Sequence, residues 1–256
     1  MSQTASSLAL YQAGAEELCR NREQWKAYES KDHCVVLAGP GSGKTKVLTL
    51  KLARLIAEDV APPRGVACLT YNNECVKELT RRLARLGIRN SRSVFVGTVH
   101  SFCLKAVLLP YAKLGGLALP DPLRIALSSD SERLFSQAKD KVVGVNERPE
   151  EWRRRCDRYR RTYLDREEPE WKEQDSQSAE VIEEYERQLR SAGFIDFDDM
   201  VLLGLRLIET QPWVRKVLTA RFPVLVVDEY QDLGLTLHRL VMSLGRVDNS
   251  WERPGG

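Results

Sequence analysis

Apolar positions along this chain follow two rhythms, and the change comes near residue 115. In the first part, short β-branched runs alternate with amphipathic stretches. Cys34-Val35-Val36-Leu37-Ala38 is a compact apolar run closed by Gly39-Pro40-Gly41-Ser42-Gly43, and it predicts a buried strand that delivers a glycine-rich loop. Behind the loop, Leu48, Leu52, Leu55 and Ile56 recur at i, i+4, i+7 and i+8, with Lys51, Arg54 and Glu58 on the other face. That spacing predicts a helix with one buried stripe, broken at Pro62-Pro63. Val66 to Thr70 predicts a second strand. Asn72-Asn73 then leads into a helix whose Val76, Leu79, Leu83 and Leu86 share a face and which Gly87 ends. Ser93 to Gly97 predicts a third strand, and Thr98-Val99-His100-Ser101 opens a helix running towards Pro110. Alternation of strand and helix predicts an α/β fold, a parallel sheet flanked by helices.

The second rhythm starts where Gly115-Gly116, Pro120 and Pro122 interrupt the chain, and the stretch to about Arg190 is heavily charged and helical in pattern. It is expected to be an insertion. Ser129-Asp130-Ser131-Glu132 has capping-box spacing, and Val181, Tyr185 and Leu189 form a stripe ahead of a terminating Gly193. Arg153-Arg154-Arg155 and Arg160-Arg161 lie among many acids and predict a solvated helix face, with a nucleic-acid patch as the alternative. After Phe194-Ile195-Asp196-Phe197-Asp198-Asp199-Met200 an apolar helix leads to Pro223, and Val224 to Val227 resumes the sheet. The expected organisation is an α/β domain in two segments, 1–103 and 190–256, interrupted by a helical subdomain at 104–189. The last residues, 250–256, carry no periodicity.

Composition narrows the class. With 256 residues and roughly 150 per domain, one large domain or a domain with an insertion fits best. Charged residues make up 29% of the chain and its mean hydropathy is −0.37. The longest apolar stretches fall far short of the ~20 residues a membrane span needs, and Met-Ser-Gln-Thr is no signal-peptide start. A soluble, cytoplasmic protein with no membrane partner is expected. A net charge of +3 is too slight to announce nucleic acid, so any polyanion must be met by locally placed groups. Cys19, Cys34, Cys68, Cys75, Cys103 and Cys156 show no C-x-x-C spacing, which argues against both a disulfide scaffold and a zinc site.

The densest chemistry lies at Ala38-Gly39-Pro40-Gly41-Ser42-Gly43-Lys44-Thr45, a phosphate-binding loop with Ala at the first glycine position, set between a predicted strand and a predicted helix. Its glycines let backbone amides turn onto phosphates at a helix N-terminus, Lys44 supplies a point charge to the β and γ phosphates, and the Thr45 hydroxyl can ligate Mg²⁺. Asp228-Glu229, at the end of an apolar run, supplies what the loop lacks. One carboxylate, Asp228, can hold Mg²⁺, and Glu229 can orient and deprotonate an attacking water.

The order of motifs resembles the N-terminal half of a superfamily 1 DNA helicase of the UvrD/Rep/PcrA type, across most of the chain. Asn21-Arg22-Glu23-Gln24-Trp25-Lys26-Ala27 is similar to the family's Q motif, which implies that Gln24 bonds the adenine. Thr70-Tyr71-Asn72-Asn73 resembles motif Ia and Thr98-Val99-His100-Ser101-Phe102 the T-F-H-S segment, both of which imply contact with single-stranded DNA. The alternatives are that Tyr71 is a half-buried strand-end aromatic and His100 a capping residue, while Phe102 is expected to be a core side chain. Ile195-Asp196-Phe197-Asp198-Asp199 resembles D-F-D-D-L, although Asp198 and Asp199 also suit a helix's first turn. Asp228-Glu229-Tyr230-Gln231-Asp232 matches the restrictive D-E-x-Q-D form of motif II.

The resemblance implies a P-loop NTPase of RecA-like fold with a helical insertion, using ATP and Mg²⁺ and moving 3′→5′ on single-stranded DNA. The family's motifs III to VI and its second RecA-like domain are not found in these residues. The expectation is therefore a truncated motor that binds nucleotide, hydrolyses it slowly and does not unwind DNA unless a partner protein supplies the second domain. A non-enzymatic ATP- or DNA-binding module acting through a partner stays open as an alternative. A P-loop kinase fits less well, because it leaves motif Ia and D-E-x-Q-D without a reason.

Overall fold

The computed structural model describes residues 11–70, 72–88, 93–232 and 234–245. A helical stretch at 11–18 precedes α1 (Arg22–Glu29), which Asn21 starts by accepting hydrogen bonds from the amides of Glu23 and Gln24, both at 3.1 Å. Next come α2 (Lys44–Arg54), prolonged by a π-helical turn at Leu55–Asp59, then β1 (Val66–Thr70), α3 (Asn73–Arg85), β2 (Val94–Thr98) and α4 (Val99–Phe102). Helical backbone runs on from α4 through a π-helical stretch at Cys103–Leu108 to Leu109–Tyr111, which contains Pro110. The remaining elements are β3 (Arg124–Ile125), α5 (Ser128–Val143), α6 (Pro149–Thr162), a single helical turn at Glu170–Glu173, α7 (Ser176–Ser191), β4 (Phe194–Ile195), α8 (Phe197–Thr210), α9 (Pro212–Arg221), β5 (Val224–Val227), a 3-10 turn at Tyr230–Asp232 and α10 (Gly234–Gly245).

These residues fall into two compact units, one formed by the chain up to Thr98 with Val217–Tyr230, the other by Val99–Lys216 with the residues from Gln231 on. The first unit holds a parallel sheet of order β2-β1-β5, in which Val66 lies opposite both Val94 and Val224. β1 is buried along its whole length, as a central parallel strand must be, and its Val66 and Cys68 pack with Leu52, Leu55, Leu79 and Leu83 from the helical segments on either side of it in sequence. Gly65 admits the close approach of the neighbouring chain, since a Cβ there would stand 2.8 Å from the Ser93 carbonyl. The strands expected at 66–70 and 224–227 form over those residues, and the third is displaced by one, to Val94–Thr98.

The strand expected at 34–38 does not form. These residues join no ladder with β1, β2 or β5, and Val35 and Leu37 are 78% and 91% exposed. A β-branched run favours a pleated, half-buried surface, but it becomes a strand only where a neighbouring edge accepts its hydrogen bonds. β5 is an outer strand of this sheet, and all four of its residues are only half-buried.

In the second unit α5, α6 and α7 pack around Leu134, Phe135, Trp152, Trp171, Ile182 and Tyr185. Val181, Tyr185 and Leu189 are buried as their spacing requires, and Gly193 ends the segment with φ +79°. The capping box expected at Ser129–Glu132 is absent, because α5 starts two residues earlier than that box requires, at Ser128, with Leu127 at its cap and no side-chain cap bond. A capping box forms instead at α8. There the Asp196 carboxylate accepts from the Asp199 amide at 2.8 Å and Asp199 accepts in return from the Asp196 amide at 3.2 Å.

Arg160 also departs from expectation. It is not on a solvated face: Trp152, Cys156, Tyr159 and Arg160 fall at i, i+4, i+7 and i+8 and form the buried stripe of α6. Its charge is satisfied in place by Glu186 at 2.7 Å, Asp196 at 2.7 Å and Asp199 at 2.5 Å. Arg153 is half-buried, with its guanidinium 4.8 Å from the Phe135 ring centre and 5.0 Å from that of Tyr185. Arg161 is exposed, as expected, and pairs with Asp198.

Candidate functional site

The glycine-rich loop is shaped by two residues in left-handed conformation, Gly41 at φ +74° and Gly43 at φ +84°. Gly43 is the N-cap of α2 and no side chain caps it, so the first amides of the helix and its positive dipole end are open to an anion. Ser42 folds back on the loop, its hydroxyl donating to the Gly39 carbonyl at 2.7 Å. Gly39, Pro40, Gly41 and Ser42 are exposed, while Ala38, Lys44 and Thr45 are half-buried. The Thr45 carbonyl accepts from the Thr49 hydroxyl at 2.6 Å, inside α2, which leaves the Thr45 side chain at the helix's first turn. Gln24 reaches this loop from α1. Its carboxamide Nε2 donates to the Ser42 carbonyl at 2.8 Å, and a Cβ at position 43 would meet that nitrogen at 2.8 Å. The Q-motif pattern suggested a base contact; the buttressing of the loop by Gln24 was not legible from it.

β5 brings the acids to the same place. The Asp228 amide donates to the Leu69 carbonyl at 2.9 Å, continuing the ladder one residue past the strand, and Glu229 then turns at φ +52°. A left-handed backbone at a residue with a Cβ is strained, and strain of this kind concentrates at functional sites. Its consequence here is geometric: Glu229 Oε1 lies 3.7 Å from Lys44 Nζ, each side chain about a third exposed at 32% and 31%. Burial and the neighbouring Glu229 push the Asp228 carboxyl above the ordinary carboxylate range, against a smaller opposing pull from Lys44. Cys75, at the start of α3, feels both acids in addition to burial, and its thiol is pushed up. Cys68 is fully buried, and that burial, with the charge of Asp228, holds its thiol protonated and inert. Nothing in the spacing of the cysteines pointed to this proximity.

The remaining candidates divide by what their side chains already do. Thr70 and Thr98 end adjacent parallel strands in register, at the carboxyl edge where α/β sheets place ligands. Thr70 is buried and donates to the Asn72 carbonyl at 3.0 Å, while Asn72 caps α3 by accepting from the Cys75 amide at 2.9 Å. Both side chains therefore build the turn, and Asn73 beside them is exposed. Tyr71 lies outside the described residues. His100 and Ser101 are half-buried on α4. The His100 ring meets the exposed Phe197 ring edge-to-face at 5.9 Å, and burial lowers its pKa against a raising influence from Asp198. Phe102 is a core side chain. Asp199 is buried in its cap and in ion pairs with Arg160 and Arg190, which is more than a first-turn acid needs.

A family model described as the UvrD/REP helicase N-terminal domain matches residues 20–249. The chain belongs to that family. Membership implies a P-loop NTPase fold for the helix-rich α/β architecture and its small parallel sheet. Among the curated relatives, the ATP-dependent DNA helicase Rep of Escherichia coli is 30% identical over 217 residues, covering 82% of this chain and 32% of its own length. The ATP-dependent DNA helicases PcrA of Staphylococcus epidermidis and Staphylococcus aureus are 25% and 27% identical over 241 residues, in each case 88% of this chain and 31% of the relative. The chain thus spans about a third of the length of the UvrD-type proteins it matches. No helix among the described residues is long and apolar enough to cross a membrane.

Proposed function

We propose that this chain is the ATP-binding portion of a UvrD-like helicase, coupling ATP hydrolysis to 3′→5′ movement along single-stranded DNA in the cytoplasm. In this reading 1–103 and 190–256 make the first RecA-like domain and 104–189 a helical subdomain. The observation that carries it is the 3.7 Å approach of Lys44 and Glu229, residues 185 apart in sequence.

The loop residues Ala38 to Thr45 cradle the phosphates through backbone amides, and Gln24 steadies the loop and stands beside the nucleotide. Lys44 leaves Glu229 for the phosphates when nucleotide binds, which frees the Glu229 carboxylate to accept a proton from water. Magnesium fits the donor set: the Thr45 hydroxyl and Asp228 are hard oxygen ligands, and Asp228 is a carboxylate whose charge burial and Glu229 leave undercompensated. When bound, the ion neutralises charge on the transferred phosphoryl group. On the DNA side, the resemblance assigns contact with single-stranded DNA to Thr70, Tyr71, Asn72, Asn73, Thr98, His100 and Ser101. The register of Thr70 with Thr98 and the exposure of Asn73 support this.

A second RecA-like domain, in another segment or a partner protein, completes the motor. Since an arginine supplied from outside the P-loop contributes about 10³ to 10⁵ in turnover, these 256 residues alone bind ATP, hydrolyse it slowly and do not unwind DNA. Binding of a fluorescent ATP analogue tests the site. It should require Mg²⁺, be lost in Lys44→Ala and persist in Glu229→Gln, whose residual turnover should disappear. Undiminished binding in Lys44→Ala defeats the proposal.

A further inference from the structure

The outer face of α6 carries charge that the nucleotide site does not use. While Trp152, Cys156, Tyr159 and Arg160 point inward, Arg154, Arg155 and Arg158 are exposed. Their surroundings cancel unequally. Arg155 forks onto Asp175 with bonds of 2.7 and 2.6 Å, and Glu151 has a cation of its own in Arg148 at 3.5 Å. Arg154 and Arg158 have no carboxylate partner among the described residues. They are four apart on one helix, so their Cβ atoms lie about 5–6 Å from each other on the same face.

Both line an open cavity of about 580 Å³, together with Arg155, Thr162, Tyr159, Tyr163 and one acid, Glu151, whose carboxylate is turned to Arg148. Tyr163 is half-buried, its ring centre 4.5 Å from that of Tyr159. Tyr159 is in turn held by donation of its hydroxyl to the Trp171 carbonyl at 2.7 Å. An aromatic ring is thus fixed beside two uncompensated guanidiniums and a threonine hydroxyl, in a protein whose net charge of +3 offers no general attraction to polyanions.

We infer that this cavity is a nucleic-acid contact site in which Arg154 and Arg158 take successive phosphates of one strand and Tyr163 packs against the sugar or base between them. Guanidinium forks match phosphate oxygens, and the spacing of the two arginines is of the order of the spacing of phosphates along a strand. The ring favours nucleic acid over an acidic peptide, since cations with an aromatic platform are how single strands are held without sequence readout. The inference rests on the DNA half of the proposed function and extends it beyond the strand-end segments.

Fluorescence anisotropy of the full chain on a single-stranded oligonucleotide and on a hairpin duplex, across a salt titration, tests it. In Arg154→Ala/Arg158→Ala the slope of log K against log salt should fall by about 1.4 on single strands or about 1.8 on duplex, at roughly 0.7 and 0.9 per phosphate. The DNA on which the fall appears identifies which form supplies the phosphates. Both side chains are exposed, so circular dichroism should show the fold intact. Wild-type affinity and slope on both DNAs overturn the inference, and doing so while a polyglutamate peptide loses binding in the variant would assign the cavity to an acidic protein. If the wild-type chain binds neither DNA at low salt, the DNA half of the proposed function falls with it; if wild type binds and the variant is unaltered, this inference falls alone.

Discussion

Lys44 and Glu229 stand 3.7 Å apart with about a third of each side chain exposed, whereas Arg160 is 1% exposed and holds three carboxylates at 2.5–2.7 Å. The second grouping extends further: the Tyr185 hydroxyl donates to Asp196 at 2.9 Å, and Arg190 bonds the other oxygen of Asp199 at 2.6 Å. Water can replace either partner of the first pair at little cost, so its charges remain available to a ligand. In the second, every oxygen of the buried Asp196 and Asp199 is committed to fixing the start of α8, with Phe197 and Asp198 on its first turn. Similar residue types thus make an exchangeable contact in one unit and a fixed scaffold in the other, and burial decides which.

The largest effect expected from this contrast is in Arg160→Met. Removing the guanidinium strands Asp196 and Asp199 as buried charges, which should lower stability by about 3–5 kcal/mol in urea unfolding; a loss under about 1 kcal/mol would erase the contrast. Acid sharpens it next. Burial works against the charge of Asp196, but Arg160 and the cap bonds outweigh it and hold the carboxyl below its ordinary value. Its contribution is therefore fully present above the unfolded carboxylate pKa of about 3.9 and is lost as pH falls through the lower folded value. Asp196→Asn should be less stable near neutrality and flatter across that acid window; an unchanged acid limb would contradict the assignment. The smallest effect belongs to Lys44→Ala, where stability should stay within about 1 kcal/mol of wild type by thermal unfolding even as nucleotide binding disappears. A large destabilisation there would show that the pair is structural after all.

The candidate site was legible in sequence to the extent that it is local. Loop conformation depends on glycine at 41 and 43, which a Cβ would oppose, and a phosphate-binding loop announces itself through those glycines and the following Lys44-Thr45. Asp228-Glu229 after Val224–Val227 was equally visible, but not the φ of +52° at Glu229 that goes with its approach to Lys44. Asn72 shows a role its motif did not carry. Its motif suggested a ligand contact, and its Oδ1 also starts α3 by accepting from the Cys75 amide.

Periodicity and turn chemistry alone specified the strands at 66–70 and 224–227, the buried stripe of Val181, Tyr185 and Leu189, and the stop at Gly193, because each depends on contacts or dihedral angles a few residues apart. Tertiary structure decided the rest. Whether Cys34-Val35-Val36-Leu37-Ala38 becomes a strand depends on an edge contributed by distant residues, and none of the described ones contributes it. Whether Arg160 meets water or carboxylates depends on which side of α6 faces α7 and α8, and an arginine on an apolar stripe is tolerated only because Glu186, Asp196 and Asp199 arrive from 26, 36 and 39 residues away. Local rules choose the conformations a segment can adopt; long-range burial and pairing choose among them, since the free energy of a buried charge or an unpaired strand is set by what surrounds it.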